Sequence, residues 1–386
     1  MNREDFRSQA AGRLVTTAAG HPAFVPAPLP PTLVYSADLV RALSRADAAL
    51  SELSGLGRQL PNPHLLINPY LRREAVLSSR IEGTQASLSD LLMDEVSAEE
   101  VKTNADDVQE VRNYVIALEH GLQRLATLPL SLRLVRELHE RLMQGVRGEH
   151  ATRGEFRRRQ NWIGPLNCTE QTASYVPPPV PEMHECLNQW EVFLHERDTL
   201  PELIQCALMH EQFEAIHPFI DGNGRLGRLL ITLFLIERQR LSQPLLYLSD
   251  FIERTKREYY ERLQAVRTDG DWTGWLLYFL EGVTQMGRKG VSQARRLTDL
   301  RDRLREKVGT APRALMLVDA LFHNPFISVT RAEKLLGVTA PTARNAVQAL
   351  ERAGIVAEIT GRSWRRLYLS RPILDVIEGG DEQSPT

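Results

Sequence analysis

The sequence is poor in the residues that mark secreted, metal-stabilised or membrane-spanning proteins. Its 386 residues include only three cysteines, Cys168, Cys186 and Cys206, and none lies in a CxxC pair. An odd number of widely spaced cysteines argues against a disulfide framework or a structural zinc site and is typical of a reducing compartment. No apolar run reaches the roughly 18 residues of a membrane span, and the polar N-terminus is unlike a signal peptide. We therefore expect a cytoplasmic protein that makes no membrane contact.

An excess of charge of one sign is also missing. The 47 Lys and Arg residues are balanced by 49 Asp and Glu residues, for a net charge of −2. A chain with this balance has no overall field that attracts nucleic acid or an anionic membrane. Only 5 of the basic residues are lysines, which we interpret as the codon bias of a GC-rich, bacterial genome rather than as a functional feature.

Helical periodicity dominates the sequence and predicts a mainly α fold. Two stretches depart from it: a Pro- and Ala-rich arm over residues 1–35, expected to be extended, and residues 154–180, expected to form a β-hairpin. The helix expected at 201–216 carries one apolar stripe, and the helix at Arg225–Arg240 is apolar all round and so is expected to be buried. We expect an N-terminal helical region, a helical core with the hairpin, a linking helix and a small C-terminal domain, at 1–104, 105–282, 283–310 and 311–380.

The C-terminal part has the order of elements of a small α/β winged helix-turn-helix domain. Helical patterns at Arg313–Phe322, Thr330–Leu336 and Pro341–Ala353 precede an alternating stretch around Gly361 that predicts a two-stranded wing. Residues 328–371 carry eight Arg or Lys and three Glu. A basic wing suits contacts to DNA phosphates. Presenting protein targets and pairing two copies are the alternatives that the pattern leaves open.

One window combines groups that helix interiors and buried cores both tend to exclude: His217–Arg228, written HPFIDGNGRLGR. Gly222, Asn223 and Gly224 come directly before a helix, whose first N–H groups are unpaired and whose dipole is positive at that end. Glycines let backbone N–H groups turn toward one point and approach a ligand closely. The three residues therefore predict an anion nest, a concave set of N–H donors suited to phosphates.

The side chains around this nest indicate a reaction class. Arg225 and Arg228 can each form paired hydrogen bonds to phosphate oxygens. Asp221 can hold Mg²⁺ against the same oxygens, because Mg²⁺ prefers carboxylate and phosphate ligands. His217 can accept a proton from an incoming hydroxyl near pH 7. With neither a Walker P-loop nor a zinc-protease HExxH motif in the chain, the window predicts attack of a hydroxyl on a nucleotide phosphate rather than a plain Gly-rich turn.

The same window resembles the Fic-domain signature HxFx[D/E]GNGRxxR at every position. The resemblance implies a Fic helical core, whose members mostly transfer AMP from ATP to a Ser, Thr or Tyr hydroxyl of a target protein. It implies His217 as the base, Asp221 as the Mg²⁺ ligand and Gly222 to Gly224 as the phosphate cradle.

The resemblance also implies the phosphate ligands. Asn223 and Arg225 are expected at the α- and β-phosphates, and Arg228 at the γ-phosphate. Family members that phosphorylate often lack the second glycine of the loop. This chain keeps Gly224, which favours AMP transfer, while transfer of UMP or phosphocholine stays open.

Two further stretches resemble parts of the same family. A flap that binds a target segment by strand addition beside the site is expected at Trp162, Ile163 and Gly164. Residues 244–263 resemble the segment that helps to wall the adenine, with Tyr259 or Tyr260 as the expected contact. Ordinary core packing is the alternative for these aromatic residues.

A stretch upstream of the core, SSRIEG, resembles the family's inhibitory motif [S/T]xxxE[G/N]. Ser78 and Glu82 share one face of a helix expected over about 69–83, and Gly83 is placed to end it. An arginine that binds a γ-phosphate also binds a carboxylate. We therefore expect Glu82 to pair with Arg228, displace the γ-phosphate and keep basal activity weak.

Two functional hypotheses follow. The first is an autoinhibited protein adenylyltransferase that uses ATP and Mg²⁺ and binds its protein target at the flap; removal of AMP is a second activity that stays open. The second is a DNA-binding transcription regulator that uses a Fic-like core as a nucleotide sensor. An intact His217 favours the first, because a sensor needs the anion nest but no base. Such cores often pair, which leaves a homodimer open.

Overall fold

The computed structural model describes residues 1–59, 64–97, 105–146, 152–165 and 167–379. Most of these residues are helical, so the predicted mainly α fold is confirmed. The helices are α1 (Ala37–Gln59), α2 (His64–Ile81), α3 (Leu88–Ser97), α4 (Ala105–Arg124), α5 (Leu132–Leu142), α6 (Val180–His195), α7 (Glu202–Ile216), α8 (Asn223–Glu237), α9 (Ser249–Arg254), α10 (Lys256–Asp269), α11 (Trp272–Val308), α12 (Pro312–His323), α13 (Val329–Leu336), α14 (Ala340–Arg352) and α15 (Arg371–Glu378). None of the described helices combines the length and apolar character needed to cross a membrane.

Two small antiparallel sheets and a short 3-10 helix at Arg3–Asp5 complete the described regular structure. The first consists of β1 (Gly12–Thr16) and β2 (Pro22–Pro26). The sequence predicted an extended arm here but not its pairing, because its prolines suggested an unpaired segment. In the structure, prolines stand at the two ends of the edge strand β2, where proline is tolerated. The second sheet has the order β3 (Phe326–Ser328), β5 (Leu367–Leu369), β4 (Ala357–Glu358).

α7 and α8 pack against each other in the middle of the core. The burial predicted for α8 is confirmed. The one-sided stripe predicted for α7 was wrong in extent, because every residue from Leu203 to Ile216 is buried, His210, Glu211 and Glu214 included. Two of them have buried partners: Glu211 pairs with Arg267 of α10 at 3.3 Å, and Nε2 of His210 lies 2.9 Å from the hydroxyl of Tyr259. A hydrophobicity pattern cannot show such internal partners.

α11 is continuous across the boundary predicted at residue 282 between the core and a linking helix. Its second half buries Val291, Leu297 and Leu304 and packs along α1. One hydrophobic core contains residues from Val25 to Ile377, so the predicted linking helix contributes to the same core as the rest of the described chain. The four-part division of the chain stays a prediction.

α2, which carries the SSRIEG stretch, is longer than predicted. It runs through Pro69 rather than beginning there. α12 and α15 pack against this helix, and the amide of Asn68 lies 2.7 Å from Nδ1 of His323. Burial of Ile67 and Leu71 on either side of the proline stabilises helical geometry that the proline alone would interrupt.

The C-terminal elements follow the predicted order. α12, α13 and α14 lie within one or two residues of the predicted helices, and Gly337 between the last two has φ 62°. β4 and β5 occupy the predicted wing, while β3 and α15 were not predicted. Identification of this part as a winged helix-turn-helix domain with a DNA partner stays a prediction.

Candidate active site

The HPFIDGNG segment joins α7 to α8 through two left-handed residues. His217 follows α7 with φ 48° and ψ 61°, a conformation that costs a non-glycine residue free energy. Gly222 precedes α8 with φ 79°, and a Cβ there would lie 2.9 Å from Sδ of Met143. Glycine is therefore required at 222 by both backbone conformation and space.

The amide side chain of Asn223 closes the loop on itself. Its Oδ1 accepts from the N–H of Phe219 and its Nδ2 donates to the carbonyl of the same residue, both at 2.9 Å. Asn223 is buried, so these two bonds satisfy polar groups that water does not reach. The structure thus gives Asn223 a loop-closing role. The phosphate contact that the resemblance implies for this residue stays a prediction.

A second support of the loop is His139 of α5, which no sequence pattern indicated. Its Nδ1 accepts from the N–H of Gly154 (3.0 Å), so Nε2 carries the proton and donates to the carbonyl of Asp221 (3.1 Å). The ring stacks on Phe219 with 3.7 Å between centroids. Burial lowers the pKa of His139 to about 4, which keeps this tautomer neutral at pH 7.

His217 is neutral at pH 7 for a related reason. Burial, the largest cause, acts together with the guanidiniums of Arg267 and Arg157 to lower its pKa to about 3. The Glu82 carboxylate opposes these effects without reversing them. A neutral imidazole can accept a proton, which is the state that a general base needs.

The two arginines of the nest have buried side chains with acidic partners. Arg225 Nη1 lies 3.3 Å from Oε2 of Glu110 in α4, and its Nη2 lies 3.7 Å from Oδ1 of Asp221. The same Oε2 of Glu110 accepts from the hydroxyl of Thr84 at 2.8 Å. Glu110 therefore links the nest to the residues just after α2, a connection that the sequence did not reveal.

Arg228 binds the end of α2 and the residue that follows it through three hydrogen bonds. Its Nε donates to Oγ of Ser78 (2.9 Å), and its Nη2 donates to the carbonyl of Ser78 (2.9 Å) and to Oε1 of Glu82 (2.7 Å). The expected contact between Glu82 and Arg228 is therefore present. Gly83 follows with φ 104°, as expected of the residue that ends the helix.

Glu82 also lies directly over the anion nest. A Cβ built on Gly224 would stand 2.2 Å from Oε1 of Glu82, so the carboxylate occupies the space that the glycine leaves open. Burial, the largest single effect, raises the pKa of Glu82, but the charge and hydrogen bond of Arg228, together with Arg225 and His217, outweigh it and hold the pKa below its ordinary value. Glu82 is therefore ionised at neutral pH and acts as an internal anion at this site.

Asp221 has the features of a Mg²⁺ ligand that shares its ion with a nucleotide. Its side chain is half exposed beside the nest, and its Oδ1 accepts from the N–H of Gly222 at 2.6 Å. Among the described residues no cluster of three or more His, Cys, Asp or Glu could hold a metal. Asp221 is therefore a suitable ligand for Mg²⁺ if the phosphates of a nucleotide supply further oxygen ligands, as they usually do for this ion.

The two candidate adenine contacts lie in different surroundings. Tyr259 is buried, and its hydroxyl donates to Nε2 of His210 (2.9 Å), whose Nδ1 donates to the carbonyl of Gly227 (3.1 Å). Tyr260 is partly exposed, with its ring 5.2 Å from that of Tyr259. Core packing therefore accounts for the position of Tyr259. The adenine contact stays a prediction, and the partial exposure of Tyr260 favours that residue for it.

The predicted flap hairpin is reduced to a single bridge. Ile163 and Tyr175 exchange two backbone hydrogen bonds, of 2.8 and 3.0 Å, and no regular strand forms in the described residues between 152 and 179. Prolines near both sides of the bridge remove N–H donors and stop the ladder. Trp162 is exposed beside it, and a Cβ on Gly164 would lie 2.8 Å from Sγ of Cys168. Target binding here stays a prediction.

Two family models match the chain. Fic/DOC family N-terminal matches residues 40–123, and Fic/DOC family matches residues 129–235. The protein adenylyltransferase Fic of Drosophila grimshawi is 28% identical over 169 residues, which are 43% of this chain and 31% of that protein. The corresponding protein of Drosophila erecta is 27% identical over 169 residues, or 43% of this chain and 30% of its own length. The match thus spans about a third of the length of these curated relatives.

A crystal structure of a Fic family protein from Desulfovibrio desulfuricans G20 shares the fold. The TM-score is 0.58 at 20% sequence identity, over 89% of this chain and 98% of that one. Glu82 falls within the first matched range and His217–Arg228 within the second. The contact between Arg228 and Glu82 therefore joins the two matched domains.

Proposed function

Because this chain belongs to the Fic/DOC family, we propose that it transfers AMP from ATP to a Ser, Thr or Tyr hydroxyl of a target protein. The curated relatives carry the name protein adenylyltransferase. The observation that carries the proposal is the segment between α7 and α8, where a neutral His217 and an anion nest stand within eight residues. Two buried arginines, Arg225 and Arg228, follow in the first turns of α8.

In the proposed reaction, His217 takes the proton of the target hydroxyl. The hydroxyl oxygen forms a bond to the α-phosphorus, the bond from that phosphorus to the bridging oxygen breaks, and pyrophosphate leaves. The N–H groups of the nest and the guanidinium of Arg225 stabilise the negative charge on the phosphates. Mg²⁺, held by Asp221, would neutralise part of that charge.

We propose that Glu82 inhibits this reaction in the resting chain. Its carboxylate binds Arg228 and lies over Gly224, so a γ-phosphate would have to displace it from both. Ser78 supports the inhibitory helix by accepting from Arg228 Nε. Relief of inhibition requires α2 or the Glu82 side chain to move away from α8.

Transfer is tested with α-labelled ATP and a native lysate, using Glu82→Gly protein. His217→Ala in that background is expected to abolish labelling, because the proposed base is removed. His195→Ala is the matched control, since His195 is exposed at the end of α6. Equal labelling by the two histidine variants would refute the assignment of the base.

A second candidate function, binding of DNA, has support in the exposed basic residues of the C-terminal part. Arg344 on α14 and Arg362, Trp364 and Arg366 between β4 and β5 are exposed. A gel shift with random duplex DNA at low salt tests this candidate. The double change Arg362→Ala, Arg366→Ala should weaken any shift, whereas Arg257→Ala, at an exposed position of α10, should not. Absence of a shift in the unchanged chain would exclude this function.

A further inference from the structure

Arg157 is a buried arginine whose side chain binds backbone carbonyls. Its Nε donates to the carbonyl of His217 (3.1 Å), its Nη1 to that of Arg159 (3.4 Å) and its Nη2 to that of Pro178. Its own N–H donates to the carbonyl of Pro218 at 2.9 Å. The residue is 1% exposed, and within the described ranges no carboxylate acts on its charge.

We propose that Arg157 is a positioning residue for the catalytic base: it holds the carbonyl of His217 and so fixes the imidazole in the left-handed turn that ends α7. A left-handed non-glycine residue costs about 1–3 kcal/mol and persists only where its surroundings hold it. Asn161 assists, because its Nδ2 donates to the carbonyls of His217 (3.3 Å) and Phe219 (2.8 Å). The proposal rests on the proposed function for the identity of the base.

The charge of Arg157 is not explained by hydrogen bonding alone. A buried guanidinium without a carboxylate partner loses hydration, and burial accordingly lowers the pKa of Arg157 to about 10. Asn161 shows that a neutral amide can satisfy carbonyls of the same segment. Of the residues whose carbonyls Arg157 binds, His217 is the one whose side chain has its pKa lowered by the Arg157 charge.

That effect is on the protonation of His217. Burial is the largest influence on this imidazole, and the charged groups that act on it are Arg267, Arg157 and Glu82. The two arginines disfavour the imidazolium, whereas Glu82 and a hydrogen bond with the Glu214 backbone favour it. Arg157 therefore keeps the base unprotonated down to a lower pH. Without its charge the pKa of His217 rises, and the acid limb of a pH–rate profile moves to higher pH.

Kinetics separate this role from a structural one. In the Glu82→Gly background, Arg157→Met is expected to lower kcat by about 100-fold, the effect of a misplaced reacting group, with little change in the KM for ATP. Its acid limb should move to higher pH. Arg157→Lys keeps the charge, so its acid limb should stay while kcat falls. Arg158→Met is the matched control, because Arg158 is largely exposed. An Arg157→Met variant with the kcat and pH profile of Arg158→Met would overturn the proposal, as would a rise in KM alone.

A second measurement does not depend on turnover. In the full chain with ¹⁵N-labelled histidine, the imidazole of His217, assigned by comparison with His217→Gln, is titrated by NMR. The pKa should be higher in Arg157→Met than in the unchanged chain and in Arg157→Lys. If Glu82→Gly shows no AMP transfer, the proposed function fails while this titration still tests the role of Arg157. If Arg157→Met does not fold, Arg157→Lys provides the test. The left-handed turn at His217 should then change, which would appear as a shifted backbone N–H signal of His217. An unshifted signal would refute the proposal.

Discussion

Replacing Glu82 measures how strongly the chain's own carboxylate competes with a nucleotide for Arg228. Glu82 Oε1 lies 2.7 Å from Arg228 Nη2, with the arginine side chain buried and the glutamate side chain 35% exposed. A hydrogen bond to a charged group contributes about 1.5–3 kcal/mol, and partial exposure favours the lower end because water screens the pair. Since about 1.4 kcal/mol corresponds to a factor of ten, Glu82→Gly is expected to raise AMP transfer at subsaturating ATP by about 10-fold or more.

The assay is the initial rate of labelling from α-labelled ATP at neutral pH, together with the KM for ATP. Glu82→Gln keeps the size of the side chain and removes its charge, so it should give part of the gain. Glu119→Gln, at an exposed position of α4, removes the same charge elsewhere and should change nothing. Because Arg228 holds the pKa of Glu82 below its ordinary value, inhibition should persist as the pH falls and be lost only once the carboxylate takes a proton. Equal KM and labelling for Glu82→Gly and the unchanged chain would refute the reasoning.

Three other changes test the supports of the site. Asn223→Ala removes both hydrogen bonds to Phe219, and kcat is expected to fall by about 10–100-fold; an unchanged kcat would contradict the loop-closing role. His139→Gln should destabilise the chain at pH 7. The difference in unfolding free energy between the unchanged chain and this variant should shrink below pH 6.5, by about 1.4 kcal/mol per pH unit. The reason is that the unchanged chain loses stability there, because its buried imidazole, with a pKa of about 4, resists the protonation that the unfolded chain accepts. Urea unfolding at two pH values checks this, and a constant difference would count against it. Tyr259→Phe should lower the unfolding free energy by about 1–3 kcal/mol, because His210 loses its donor, and should leave the KM for ATP unchanged; a raised KM would instead support an adenine contact.

The helices were predictable where an apolar pattern repeats over several turns. α7, α8 and the three helices α12 to α14 appear close to their predicted positions, because burial of a continuous face stabilises them wherever they pack. The β1–β2 hairpin was missed and the flap hairpin was overestimated for one reason. Whether an extended segment finds a partner depends on backbone N–H groups, and prolines interrupt those of the flap while they lie at the ends of β2.

The parts of the site that were predictable lie next to each other in the chain. His217 to Arg228 span the end of one helix and the start of the next, so their proximity follows from local geometry. Glu82 was predicted from the inhibitory pattern that its stretch resembles, and the observed 2.7 Å contact with Arg228 joins the residue just after α2 to α8. The supports His139 and Arg157 could not be found in this way, because their hydrogen-bond partners are backbone N–H and carbonyl groups, which almost every residue carries.

By itself, the sequence determined the chemical groups of this protein: an imidazole, a carboxylate, a glycine-rich nest and two arginines in one helix–loop–helix segment. The spacing sufficed because consecutive residues cannot lie far apart. Only the tertiary structure decided the state of those groups. Burial and the arginines keep His217 neutral, Asn223 and His139 set the loop that holds Asp221, and α2 brings a carboxylate onto Gly224 and Arg228. These effects depend on which distant atoms exclude water or carry charge, and that follows from packing rather than from spacing.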